Sequence, residues 1–170
     1  MEEYISAGHA RKLSSEEVNT GQVGRTWWLP HHAVINPNKP SKLRNVFDAA
    51  AKFKGVSLNS ALLNGPDLMA NLTCVLLRFR LYPVAVSGDI TKMFHQVKIR
   101  PTDGSALRFV WRVPGSDGPI EDYEMTVQIF GATCSPAICA YVLRKAAAES
   151  DDPTGLVVSQ VVNLFSLTTG

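Results

Sequence analysis

The stretch Val84-Ala85-Val86-Ser87-Gly88-Asp89 constrains this chain more than any other. It opens as a short apolar run with β-branched side chains, the composition of a buried strand. It closes on Gly88-Asp89. A buried strand that carries one carboxylate at its C-terminal tip, beside a glycine, is a way of presenting a ligand to a metal or a phosphate. An Asp in that place also serves as the cap of a following helix. The choice between the two rests on what else the chain gathers around Asp89, beginning with Phe94 and the polar pair His95-Gln96.

Net charge is only +2 over 170 residues, so bulk charge makes no case for a polyanionic partner. Its distribution says more. Residues 34–54 carry five Lys and Arg against one Asp, and residues 78–112 carry seven against two. These basic stretches flank Asp89, whereas acidic residues collect at 121–124 and 149–152. A basic lining around one carboxylate suits a polyanion held near a metal, although charged stretches are also ordinary solvated faces. Cys74, Cys134 and Cys139 form no Cys-x-x-Cys pair, which reads as free intracellular thiols. No apolar run reaches membrane-spanning length and the N-terminus is polar, so no membrane partner and no signal peptide are expected.

In chain order, residues 1–25 read as a poorly ordered arm or a partial helix over 14–18. Adjacent His31 and His32 would point to opposite faces of a strand, so they do not converge on a metal. The turn chemistry of residues 36–41 separates residues 32–35 from residues 42–48, predicting a β-hairpin with a basic tip. Lys42 and Arg44 share one face of its second arm, where two cations hold a phosphate chain or guard an exposed edge. Residues 55–66 read as loop. Pro66-Asp67 marks the start of a helix, with Leu68, Leu72, Val75, Leu76 and Phe79 at helical spacing. Residues 107–113 and 123–129 alternate as two strands of an antiparallel hairpin, and 97–99 as a short strand. Residues 130–136 break the second strand. Ser135 then acts as N-cap and Pro136 as first helical residue of a helix over 137–148. The fold class is α+β, with segregated elements.

These residues resemble the fingers and palm of a reverse transcriptase, and most closely those of BEL/Pao-type LTR retrotransposon polyproteins. The fingers are matched by Trp28-Leu29-Pro30-His31-His32, Ile35-Asn36-Pro37, Lys42-Leu43-Arg44, Val46-Phe47-Asp48, Gly55-Val56-Ser57-Leu58-Asn59 and Gly65-Pro66-Asp67-Leu68. Asp89 to Phe94-His95-Gln96 is similar to polymerase motif A, and Phe130-Gly131-Ala132-Thr133 with Ser135-Pro136 to motif B. The likeness runs from Trp27 to Lys145.

The resemblance implies a right-hand polymerase, here incomplete, with an antiparallel sheet backed by helices on one face. It divides the chain into the arm (1–25), fingers (26–83), palm with motif A (84–100), fingers again (101–128), palm with the motif B helix (129–165) and a tail (166–170). It makes Asp89 a catalytic carboxylate on Mg²⁺, with the backbone carbonyl of Ile90 as a further ligand. Lys42 and Arg44 would hold the triphosphate of an incoming dNTP. Phe94 would be the steric gate against a ribose 2′-hydroxyl. Phe130 and Gly131 would border the nucleotide pocket, and Ser135 and Pro136 would face the template-primer, RNA or DNA. The reaction implied is template-directed DNA synthesis, in the cytoplasm, a virus-like particle or the nucleus.

Two-metal phosphoryl transfer needs more than one carboxylate. The family supplies the others from an aromatic-Val-Asp-Asp turn that this sequence lacks. Asp151-Asp152 follows the end of a helix without an apolar strand before it, and reads as a solvated loop. The apolar run over 157–165 stands where the strand into that turn belongs. The tail Ser166-Leu167-Thr168-Thr169-Gly170 back-translates as TCG-TTG-ACG-ACT-GG. One base restored inside its first codon gives TAC-GTT-GAC-GAC-TGG, which encodes Tyr-Val-Asp-Asp-Trp, so the tail reads as a frame-shifted form of the missing turn. Thumb and ribonuclease H regions are also missing. The chain alone is therefore expected to be inactive. Its alternatives are a non-catalytic remnant that binds nucleic acid and the product of a pseudogene.

Overall fold

A computed structural model describes residues 1–68, 71–81, 83–84 and 88–150, and at residues 36 and 39–42 it describes the backbone alone. The chain is mixed α+β, with small antiparallel sheets and helices. It divides into two units, each visited twice: Met1–Leu63 with Phe94–Ser135, and Asn64–Met93 with Pro136–Gly170.

The first unit holds a three-stranded antiparallel sheet in the order β1-β5-β4, where β1 is Ala10–Lys12, β4 is Arg108–Trp111 and β5 is Glu121–Met125. In place of a poorly ordered arm, the N-terminal residues form helix α1 (Glu2–Ser6), strand β1 and helix α2 (Ser15–Asn19). The cause is burial. Met1, Ala10 and Leu13 are all buried, and Leu13 N–H donates to the Asp122 carbonyl at 2.9 Å. Helix α2 starts on a capping box in which the Ser14 hydroxyl accepts from Glu17 N–H and the Glu17 carboxylate accepts from Ser14 N–H.

Strand β5 begins and ends earlier than the alternation of 123–129 suggests. Arg108 faces Glu124 and Trp111 faces Glu121, so the acidic pair Glu121-Asp122 lies inside the sheet. Those acids are accommodated because Glu121 pairs with Lys12 and Asp122 accepts the Trp28 indole N–H at 3.0 Å. Past Met125 the chain leaves the sheet. Thr126 N–H and hydroxyl donate to the carbonyls of His9 and Gly8, and residues 126–128 pair with 97–99 through Ile99 N–H to Thr126 and Gln128 N–H to Val97. The short strand over 97–99 thus has its partner.

The core is an aromatic stack. Phe109 and Met125 are fully buried, Phe109 lies parallel to Tyr123, and Phe47 meets Phe109 edge-on at 5.3 Å. Beside it sits a buried charge cluster. Arg108 and Glu124 are each 5% exposed. The Arg108 guanidinium donates to the Glu17 and Val18 carbonyls at the end of α2, and Arg11 donates to Glu124. Charges at such depth are tolerated only when paired and hydrogen-bonded.

The expected hairpin is present as β2 (His31–Asn36) and β3 (Lys39–Phe47), with a register shift between Ile35 and Asn36. Its turn is tighter than expected, Pro37-Asn38. His31 packs among Phe47, Phe109 and Trp111 while His32 is exposed, as strand alternation requires. Burial holds the His31 imidazole below its ordinary pKa, against a backbone hydrogen bond at Leu29 that raises it.

In the second unit, α4 runs Leu72–Phe79, starting later than Pro66-Asp67 would place it. The reason is Asn71, whose side chain accepts from Thr73 and Cys74 N–H and sets the first turn. Helix α5 (Ser135–Glu149) carries most of its length here, and Arg144 donates to the Leu68 carbonyl. Gly65 has φ +77°, and a Cβ there would lie 2.7 Å from that of Ala137. The expected strand over 84–89 lies partly outside the described residues, at 85–87. Gly88, Asp89 and Ile90 have no regular secondary structure and are exposed. The run over 157–165, the pair Asp151-Asp152 and the tail over 166–170 all lie outside the described residues.

Phe109→Ala is expected to cost about 3–5 kcal/mol, measured by denaturant unfolding. The Glu17 carboxyl is held at about 2 from its ordinary 4.5, by Arg11 first and the Ser14 N–H second. A depressed carboxylate stabilises the fold above its unfolded pKa and loses that as pH falls through the folded one. Stability is therefore expected to fall between about pH 4.5 and 2, and Glu17→Gln to flatten that part of a stability–pH curve.

Candidate functional site

Two of the expected site residues meet in the first unit. Phe94 belongs to a 3-10 turn, Met93–Gln96, and Phe130 lies where the chain leaves its pairing with 97–99. Their rings meet edge to face, centroids 4.3 Å apart and planes at 68°. Phe130 is 45% exposed, so the pair makes an aromatic shelf with an open side.

The shelf has a support that sequence reasoning missed. His95 is buried and lies edge-on to Phe130 at 5.6 Å. Behind His95 are Tyr4, 4.9 Å away, and His9, 5.0 Å away, both from the N-terminal segment. Burial, with Glu3 alongside, pushes the Tyr4 hydroxyl up from its ordinary pKa. The signal for an ordered arm was present: Ser14 and Glu17 have the spacing of a capping box.

Gly131 follows the shelf at φ +101°, and a Cβ there would fall 2.6 Å from the carbonyl oxygen of Phe47 at the end of β3. Only glycine suits both demands. Asn59 holds the same turn from the other side. It sits in helix α3 (Leu58–Ala61), a short capped helix within the expected loop over 55–66. Its side-chain amide donates to the Gly131 carbonyl at 3.0 Å and its oxygen accepts from Thr133 N–H at 2.9 Å. Its own N–H donates to the Ala49 carbonyl. Residues from β3, α3 and the 130–133 turn thus converge on one glycine.

Ser135 is placed differently from expectation. It is the first residue of α5 and is 1% exposed. Its hydroxyl donates to the Ile129 carbonyl at 2.7 Å and accepts from buried Gln128 at 2.9 Å. That hydroxyl fastens the turn from inside instead of facing a nucleic-acid strand. Pro136, the second residue of α5, is exposed. Arg44 is exposed on β3 opposite Val34, and Lys42 lies on the same strand. Asp89 and Ile90 belong to the second unit and are exposed.

Mg²⁺ favours six oxygens and is usually held through one or two carboxylates. Among the described residues, no three His, Cys, Asp or Glu side chains gather into a set able to hold a metal ion. Asp89 with the Ile90 carbonyl supplies too few donors for a two-metal centre, so the described residues do not fit one. None of the described helices is long and apolar enough to cross a membrane. Compared with known proteins, the chain matches no family model and no curated protein.

Gly131→Ala is expected to destabilise the first unit by about 1–3 kcal/mol from positive φ alone, with the Phe47 clash added. Asn59→Ala, which removes the side-chain bonds to the Gly131 carbonyl and the Thr133 N–H, should cost about 1–3 kcal/mol. Both are read by thermal unfolding, with the Phe130 ring resonances reporting whether the shelf shifts.

Proposed function

We propose that this chain is the fingers and part of the palm of a retrotransposon reverse transcriptase of the BEL/Pao type. Its parent enzyme would add deoxynucleotides to a primer on an RNA or DNA template. In this reading Phe94 and Phe130 form the floor beneath a nucleoside, and Phe94 excludes a 2′-hydroxyl. Arg44 and Lys42 on the basic hairpin take the triphosphate, since a guanidinium binds phosphate oxygens in a fork and an ammonium as a point charge.

The observation that carries the reading is the contact of Phe94 with Phe130, centroids 4.3 Å apart. The two come from stretches that the resemblance assigns separately to one nucleotide pocket. Further support comes from Asn59 and Phe47, each in a stretch matched to the fingers, which both close on Gly131. The chain also visits each of its two units twice, the connectivity of interleaved fingers and palm.

In the parent enzyme Mg²⁺ would assist the phosphoryl transfer, and Asp89 with the Ile90 carbonyl would be this chain's share of a ligand set that these residues do not complete. Such transfer requires carboxylates beyond Asp89, so the isolated chain is read as a nucleotide- and template-binding fragment without polymerase activity.

The test is saturation-transfer NMR of the chain with dCTP and with CTP, at equal Mg²⁺. Binding should favour dCTP, with transfer strongest to the sugar protons. Phe94→Ala should bring the two affinities within about twofold. Arg44→Ala should weaken both about tenfold, the scale of one charge-assisted hydrogen bond. Equal affinity for dCTP and CTP in the unaltered chain, or a preference indifferent to Phe94, would sink the proposal.

A further inference from the structure

Between β3 and α3 the chain makes a miniature hairpin. Phe53 N–H donates to the Val56 carbonyl at 2.9 Å, and Val56 N–H donates back to Phe53 at 3.1 Å. Both residues between them have positive φ, Lys54 at 49° and Gly55 at 83°. This is a two-residue type I′ turn, the tightest connection of two antiparallel segments. It is unusual in accepting Lys at its first central position, where a side chain with a Cβ is strained.

What the turn displays is a phenylalanine with no place in the core. Phe53 is 74% exposed. Exposed Lys52 precedes it, and the Lys54 ammonium lies over its ring, 5.5 Å from the centroid. A large apolar side chain is thus held outward on rigid backbone, its face already set against a cation. An apolar protein partner would be met by two ammonium groups at the rim, each costly to desolvate. A single-stranded nucleic acid offers what this arrangement lacks: a flat π surface for the ring and phosphates for the lysines.

We propose that Phe53 is a stacking platform for one unpaired base of a nucleic-acid strand, with Lys52 and Lys54 on the phosphates to either side. The inference rests on the reading that this fold works on nucleic acid, and it adds a contact that the nucleotide pocket does not include. The turn is joined to that pocket by the chain itself, because Asn59 follows in α3 and bonds to Gly131 and Thr133. A base stacked on Phe53 would therefore be registered against the segment that positions Gly131.

The test is a fluorescence-anisotropy titration of the whole chain with a labelled single-stranded oligonucleotide, as DNA and as RNA. Phe53→Ala should weaken binding about tenfold, the scale of one base–aromatic stack, and Phe53→Trp should restore it. Lys52→Ala and Lys54→Ala should each lower the slope of log affinity against log salt by about 0.7. An oligonucleotide with abasic sites should bind the unaltered chain no better than the intact one binds Phe53→Ala. Since Phe53 is exposed, the melting temperature of Phe53→Ala should not change. Binding within twofold of the unaltered chain for Phe53→Ala would overturn the inference and would leave the nucleotide pocket untouched, as would a chain that prefers dCTP yet binds no oligonucleotide. A Phe53 effect on oligonucleotides in a chain without deoxynucleotide preference would instead overturn the polymerase reading alone.

Discussion

Burying Arg108 and Glu124 side by side is the constraint on which the first unit depends. Each is 5% exposed, and they face one another across β4 and β5. An ion stripped of water is costly unless its remaining donors and acceptors are met. Here they are met largely by the N-terminal segment. Arg11 of β1 donates to Glu124, and the carbonyl end of α2 accepts from Arg108. The segment is therefore a structural member of the sheet. Losing it would strand two charges in the interior.

The same dependence reaches the aromatic shelf. Tyr4 and His9 lie behind His95, which in turn supports Phe130. The 130–133 turn is held on its other side by Asn59 and from within by Ser135 and Gln128. Three segments distant in sequence thus set the position of one exposed ring. A surface made this way is pre-organised, because side chains already locked by packing lose little freedom when a flat ligand arrives.

The hairpin β2-β3, β4 and α5 were legible in the sequence, each for a physical reason. Asn36-Pro37-Asn38 admits little but a turn, residues 107–113 set Leu107, Phe109, Trp111 and Val113 at every second position, and Pro136 followed by an alanine-rich run propagates a helix. The misses also have causes. Strand β1 has three residues, too few for a period to show. The expected strand over 123–129 omits Glu121-Asp122 because the partners that let this pair enter a sheet, Lys12 and Trp28, are remote. Pro66-Asp67 imitates a helix start, while the working cap is Asn71. Of the site, the apposition of Phe94 with Phe130-Gly131 was legible only through the resemblance to a known family. The inward hydroxyl of Ser135 was not legible at all, since a cap and a buried donor use the same residue.

Strand β1 and its neighbour β5 are far apart in the chain: Arg11 and its acceptor Glu124 are separated by 113 residues. A ribosome releasing the polypeptide from its N-terminus must deliver all that lies between before those two can pair. Until then Met1, Ala10 and Leu13 have no interior to enter. Contacts of such high order slow folding and leave nascent apolar groups open to capture. Residues 1–13 are thus synthesised well before their partners in β5 and settled late.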